Sequence, residues 1–117
     1  MHVLIVDDEA DIRTLVSAFL KKEGITSTCC ESCADALISM KNKSFDHYLF
    51  DVHLPDGSGI ELVKQVYGLH KKASVILMSA YDDAMDSINS ESIPVPIFLK
   101  KPFSNQQLLA MLTNTYS

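Results

Sequence analysis

Four short, mainly apolar runs, at residues 3–6, 47–50, 75–78 and 97–100, and a weaker strand-like stretch at 25–29 alternate with segments whose apolar residues recur every three or four positions. No other feature narrows the fold as much. After the first run come Asp7, Asp8, Glu9 and Asp11, acids suited to a helix start, then Ile12, Leu15, Val16, Phe19 and Leu20 on one face. Lys21, Lys22 and Gly24 supply the stop. Ser32 with Asp35, Ser58 with Glu61 and Ser104 with Gln107 have the spacing of capping boxes. Behind them, Ala34, Leu37, Ile38 and Met40, then Ile60, Leu62, Val63, Val66 and Leu69, then Leu108, Leu109, Met111 and Leu112 form the buried faces of three more helices. Residues 82–92 are the weakest element: only Met85 and Ile88 are large and apolar, and Pro94 and Pro96 cannot extend a helix. A short or irregular helix is expected there. Five strands alternating with five helices predict an α/β fold: a doubly wound, five-stranded parallel sheet covered on both faces.

The stretch Tyr48-Leu49-Phe50-Asp51-Val52-His53-Leu54-Pro55-Asp56-Gly57-Ser58-Gly59 is the centre of this arrangement. An apolar strand ends in a carboxylate, and the segment holding Pro55, Gly57 and Gly59 reads as a long helix entry rather than a hairpin. A lone aspartate at the end of a buried strand is costly without a partner. In parallel sheets of this kind, ligands bind at the carboxyl ends of the strands, where strand order reverses. Leaving those ends are Asp7 and Asp8, Asp51, Ser79 and Lys101.

Composition excludes several classes. The 117 residues suggest one domain spanning 1–117, and a formal net charge of −5 disfavours unaided nucleic-acid binding. No apolar run approaches a membrane span, and Met1 leads straight into the first strand without a secretory signature, so a cytoplasmic location is the default expectation. Cys29, Cys30 and Cys33 are an odd, clustered set, not a secreted disulfide framework. Cys30 and Cys33 have redox-motif spacing at a helix start. They belong to the second βα unit, however, and reduced thiols are the better reading.

Three carboxylates converging on one place cannot all stay ionised without help. A divalent cation is that help, and oxygen-only ligands favour Mg²⁺, with Mn²⁺ as a second option. Lys101 adds a point charge, Ser79 a hydroxyl, and Asp51 is a nucleophile as well as a ligand. Metal, lysine and in-line positioning are nearly all that phosphoryl transfer asks of a protein.

Over essentially its whole length the chain resembles the receiver domain of two-component response regulators, of the chemotaxis-regulator type. The resemblance rests on Val6-Asp7-Asp8-Glu9, the stretch from Phe50 to Gly59, Met78-Ser79-Ala80, and Phe98-Leu99-Lys100-Lys101-Pro102-Phe103, each after an expected strand. It implies a flavodoxin-like strand order 2-1-3-4-5. It implies that Asp51 takes a phosphoryl group from a phosphohistidine of a sensor histidine kinase or phosphotransfer protein. Asp8, Asp51 and the His53 carbonyl would hold Mg²⁺, with Asp7 acting through water. Lys101 and Ser79 would contact the phosphoryl group, and Phe98 would be the switch aromatic whose rotamer follows Ser79. Phosphorylation would change a surface that binds a downstream protein or an effector domain missing from this chain; dimerisation on phosphorylation is an open alternative. The Lys101–Pro102 bond would be cis.

His53 and Tyr81 stand two residues after Asp51 and Ser79, where they would adjust access of the hydrolytic water. Among competing functions, a small metal-dependent phosphatase working through an aspartyl phosphate lacks an acid/base carboxylate two residues after Asp51. A nucleotide or flavin binder would need a glycine- or hydroxyl-rich first loop, and Asp7-Asp8-Glu9-Ala10-Asp11 is the opposite. The expected protein is therefore a signalling domain that catalyses only its own phosphorylation and dephosphorylation.

Overall fold

The computed structural model describes residues 1–70, 72–80 and 97–114. The chain runs β1 (His2–Val6), α1 (Ala10–Lys22), β2 (Thr26–Cys30), α2 (Cys33–Asn42) and β3 (His47–Asp51). A small pair follows, β4 (His53–Leu54) and β5 (Gly57–Ser58), then α3 (Gly59–Leu69), β6 (Ser74–Ser79), β7 (Ile97–Lys100) and a last helix, α4 (Asn105–Asn114). The weak segment at 82–92, and Tyr81 with it, lie outside the described residues.

β2-β1-β3-β6-β7 is the order of the main sheet, and all its pairings are parallel. Without the short β4–β5 pair this is the expected order 2-1-3-4-5. Strand periodicity sorts the apolar side chains into two layers. Leu4, Val6, Tyr48, Phe50, Val75 and Leu77 face α2 and α3, packing on Met40, Val63 and Val66. Val3, Ile5, Leu49, Ile76, Met78 and Leu99 face α1 and α4, packing on Val16, Leu20, Leu108 and Leu112. The middle strand β3 is buried along its whole length, as a strand covered on both faces must be.

The helix signals worked to different degrees. Ser104 and Gln107 form the complete reciprocal box, Gln107 N to Ser104 Oγ at 3.1 Å and Ser104 N to Gln107 Oε1 at 2.8 Å. Ser32 Oγ accepts from Asp35 N, whereas Ser58 Oγ accepts from Ile60 N and Glu61 turns to Lys64 instead. Gly24, at φ 76°, closes α1: its N–H donates to Lys21 O and Ile25 N–H to Leu20 O, at 3.1 and 2.9 Å.

Three expectations are corrected. The helix entry after Asp51 contains an antiparallel pair, with His53 opposite Ser58 and Leu54 opposite Gly57. Two-residue strands are too short to show a period in the sequence. On α2 the buried residues are Ala36 and Met40, while Ala34 and Ile38 face solvent, so the apolar stripe is rotated from its expected phase. Leu15 and Leu69, read as core, are exposed at 67% and 57%.

Candidate phosphoacceptor and metal site

Parallel register carries the strand ends to one edge. Val6 is level with Phe50, Asp51 with Met78, and Ser79 with Lys100, so Asp7, Asp51, Ser79 and Lys101 leave four adjacent strands together. The reversal point falls between β1 and β3, where the chain turns outward to opposite sides of the sheet.

Asp7 and Asp51 are buried and Asp8 and Glu9 exposed, and one oxygen from each of the four lies within 4.8 Å of the others. Lys101 Nζ is the cation among them, 2.8 Å from Asp7 Oδ2 and 3.3 Å from both Asp51 Oδ2 and Glu9 Oε1. The second oxygens of the two buried carboxylates are met by backbone: Asp7 Oδ1 accepts from Glu9 N at 2.9 Å, and Asp51 Oδ1 from His53 N at 3.3 Å. Arg13 Nη1 donates to the Asp7 carbonyl at 2.7 Å and holds the first loop from behind. The Lys101–Pro102 peptide is cis.

One lysine does not balance this charge. Burial, with Asp7 adding to it, raises the Asp51 carboxyl above its ordinary value despite the lowering effect of Lys101. Burial works against the Lys101 ammonium too, but the Asp7 and Asp51 carboxylates outweigh it and lift its pKa. All-oxygen donors in a crowded anionic cluster suit a hard divalent cation such as Mg²⁺. The cluster opens into a cleft of about 250 Å³ lined by Asp8, Glu9, Asp51, His53, Ala80 and Lys101. An apolar groove of about 480 Å³ adjoins it, formed by Ile12, Leu15, Val16, Pro102 and Phe103, and shares Glu9 and Lys101 with the cleft.

The other expected residues sit around this centre. The His53 side chain is exposed at the cleft. Ser79 is wholly buried one residue behind Ala80, and its carbonyl accepts from Lys101 N at 2.8 Å. Phe98 is half-buried on the side of α2 and α3. Glu9, read from the sequence as a helix-start acid and a motif neighbour but not as a site residue, is a member of the cluster; its place beside Asp7 and Asp8 was the available signal. The cysteines are free, and burial raises all three thiols, Cys33 to about 11. That is the reverse of an activated redox thiol.

The approach of α3 to Asp51 is very close. A Cβ built on Gly59 would collide with the Asp51 carbonyl oxygen, so only glycine fits there. Gly59 N–H in turn donates to the Val52 carbonyl at 2.9 Å.

Comparison with known proteins agrees with this geometry. The profile of the response regulator receiver domain matches residues 3–113. The DNA-binding transcriptional regulator NtrC of Escherichia coli strain K12 is 30% identical over 115 residues, 98% of this chain and 24% of that protein. Response regulator SaeR of Staphylococcus epidermidis is also 30% identical, over 97% of this chain and 49% of its own length. The chain thus spans about a quarter to a half of these curated relatives. Among solved structures, chemotaxis protein CheY4 of Vibrio cholerae superposes with a TM-score of 0.88 at 27% identity, covering 97% of each chain. The beryllofluoride-activated NtrC4 receiver domain dimer superposes with a TM-score of 0.85 at 26% identity, covering 98% of this chain and 95% of that one. The match favours a receiver over the small phosphatase weighed from the sequence.

Proposed function

The chain belongs to the response-regulator receiver family, and from that premise we propose that it accepts a phosphoryl group on Asp51 and thereby switches a surface read by a partner protein or effector domain. The observation that carries this reading is the four-carboxylate cluster at the carboxyl edge of the sheet, in which Asp7, Glu9 and Asp51 share Lys101.

In the proposed reaction an Asp51 carboxylate oxygen attacks the phosphorus of a phosphohistidine on a sensor kinase or phosphotransfer protein. The new P–O bond forms as the N–P bond breaks, and the leaving imidazole takes up a proton. Asp7, Asp8, Asp51 and the His53 carbonyl are the residues that would hold Mg²⁺. When bound, the ion offsets the carboxylates' repulsion and neutralises charge on the phosphoryl oxygens. Lys101 supplies a second positive charge to those oxygens once it leaves Asp51. Ser79 and Phe98 are assigned the switch: a hydroxyl drawn toward the phosphoryl group, and an aromatic ring whose rotamer follows. The apolar groove beside the cleft gives a donor protein a surface on which to seat. The whole chain, 1–117, is read as one receiver domain, acting in the cytoplasm and catalysing only its own phosphorylation and hydrolysis. No helix among the described residues is long and apolar enough to cross a membrane.

Incubation with acetyl phosphate and Mg²⁺, followed by intact mass, tests the reading. The expected result is a gain of one phosphoryl group that needs the metal and is absent from Asp51→Asn. A gain that persists in Asp51→Asn, or none in the wild type, overturns it.

A further inference from the structure

The loop that follows Asp51 is fastened at three places. At its base Gly59 lies against the Asp51 carbonyl. In its middle, His53 pairs with Ser58 and Leu54 with Gly57. At its tip the Asp56 carboxylate reaches across to α2, where one oxygen accepts from Cys33 N at 2.8 Å and the other from Ala34 N at 3.0 Å.

The first amides of a helix have no partner within it. On α2 the local cap, Ser32 Oγ, takes only Asp35 N. Asp56 completes the cap from another loop, with a charge suited to the positive end of the helix. The Cys33 and Ala34 amides hold its carboxyl below the ordinary carboxylate value, so it stays ionised at neutral pH. The Cys33 thiol fills the space beneath: its Sγ is 3.9 Å from the Ser58 carbonyl and would be 3.2 Å from a Cβ on Gly57.

We propose that Asp56 is a positioning residue for the metal-dependent step at Asp51. By tying the tip of the β4–β5 hairpin to α2, it holds the His53 peptide, whose carbonyl is assigned to Mg²⁺, beside the acidic cluster. This inference rests on the phosphoacceptor reading above. A pair of two-residue strands is too short to hold its own orientation. With the tip released, the carbonyl must be ordered again each time the ion binds. Outer residues that orient metal ligands are typically worth about 10–100-fold in metal affinity.

The test is calorimetric titration of MgCl₂ into wild type, Asp56→Ala and Asp56→Asn, with amide exchange of Cys33 and Ala34 followed by NMR. Asp56→Ala should lose protection at both amides and weaken Mg²⁺ binding about tenfold, at the low end of the range for such orienting residues. Asp56→Asn removes the same charge but keeps one acceptor oxygen, so its loss should be smaller. Equal weakening in both variants identifies a charge effect and overturns the proposal, as does unchanged affinity in Asp56→Ala. If Asp56→Ala does not fold, Asp56→Asn is titrated again in 0.5 M salt, where an exposed charge is screened over about 4–5 Å. A defect that persists supports positioning, and one that vanishes overturns it. A wild-type protein that binds no Mg²⁺ refutes the phosphoacceptor reading itself, a result separable from any difference among the variants.

Discussion

The two ends of the sheet both bury polar groups, and they treat them in opposite ways. At the amino end the imidazole rings hydrogen-bond to neutral hydroxyls. His47 is wholly buried with Nδ1 2.7 Å from Ser74 Oγ. The His2 ring meets the Thr26 and Thr28 hydroxyls at 3.0 and 2.8 Å. Burial lowers the pKa of both imidazoles, which disfavours their charged form. At the carboxyl end Asp7 and Asp51 are buried side by side, two more carboxylates stand within reach, and Lys101 pairs with three of the four, Asp7, Glu9 and Asp51. The difference shows that burial of polar groups does not mark a site by itself. Charge left unbalanced among groups held close together does, because it leaves a place that a cation and an anion can fill in turn.

The comparison breaks most readily at Lys101. Lys101→Met leaves Asp7 and Asp51 without their cation and should cost about 3 kcal/mol in Mg²⁺-free urea unfolding, the lower end for breaking a buried ion pair, since the cleft opens to water. The ion pair's contribution is fully present below the ordinary lysine value of 10.5 and is lost as pH rises through the raised folded value. The variant should therefore lack the wild type's alkaline limb. A Lys101→Met protein as stable as wild type would erase the distinction between the two ends.

Mg²⁺ should act on one end only. At a free concentration a hundredfold above Kd it should stabilise the protein by about 2.7 kcal/mol. Thermal unfolding should show this increment intact in a His47→Leu variant and largely absent from Asp51→Asn. An increment that survives in Asp51→Asn places the ion elsewhere.

Acid gives the smallest effect but reverses sign between the ends. The folded pKa of His47 is lowered, so its contribution is present above the ordinary 6.5 and is lost as pH falls toward the folded value. His47→Leu should flatten that limb, at a cost of about 1 kcal/mol for the hydrogen bond. The folded pKa of Asp51 is raised, so its contribution is present below the ordinary 3.8 and is lost as pH rises through the folded value. Asp51→Asn should regain that loss at neutral pH, moving the urea midpoint up with an unchanged slope. A lower midpoint for Asp51→Asn would mean that Lys101 already balances the cluster.

The strands and most of the site were legible because each rests on local pattern. Residues 3–6, 48–50 and 75–78 are apolar or aromatic because both faces of the sheet are covered. The residues just beyond them are polar because those ends open on the cleft. What escaped depends on partners distant in sequence or on phase. Asp56 finds Cys33 and Ala34 across 23 and 22 positions, and nothing in its own neighbourhood announces them. Glu9 was hidden by a competing explanation, since acids are ordinary at a helix start. On α2 the small residues Ala34 and Ala36 left the direction of the stripe undetermined, and tertiary packing chose Ala36 and Met40.

The contact of Gly59 with the Asp51 carbonyl carries a mechanical consequence. There is no room for a side chain between the Asp51 carbonyl and the helix start, so the two backbones pack directly on each other. A displacement of the Asp51 peptide would press on the start of α3, and a push on that helix would return to Asp51 by the same contact.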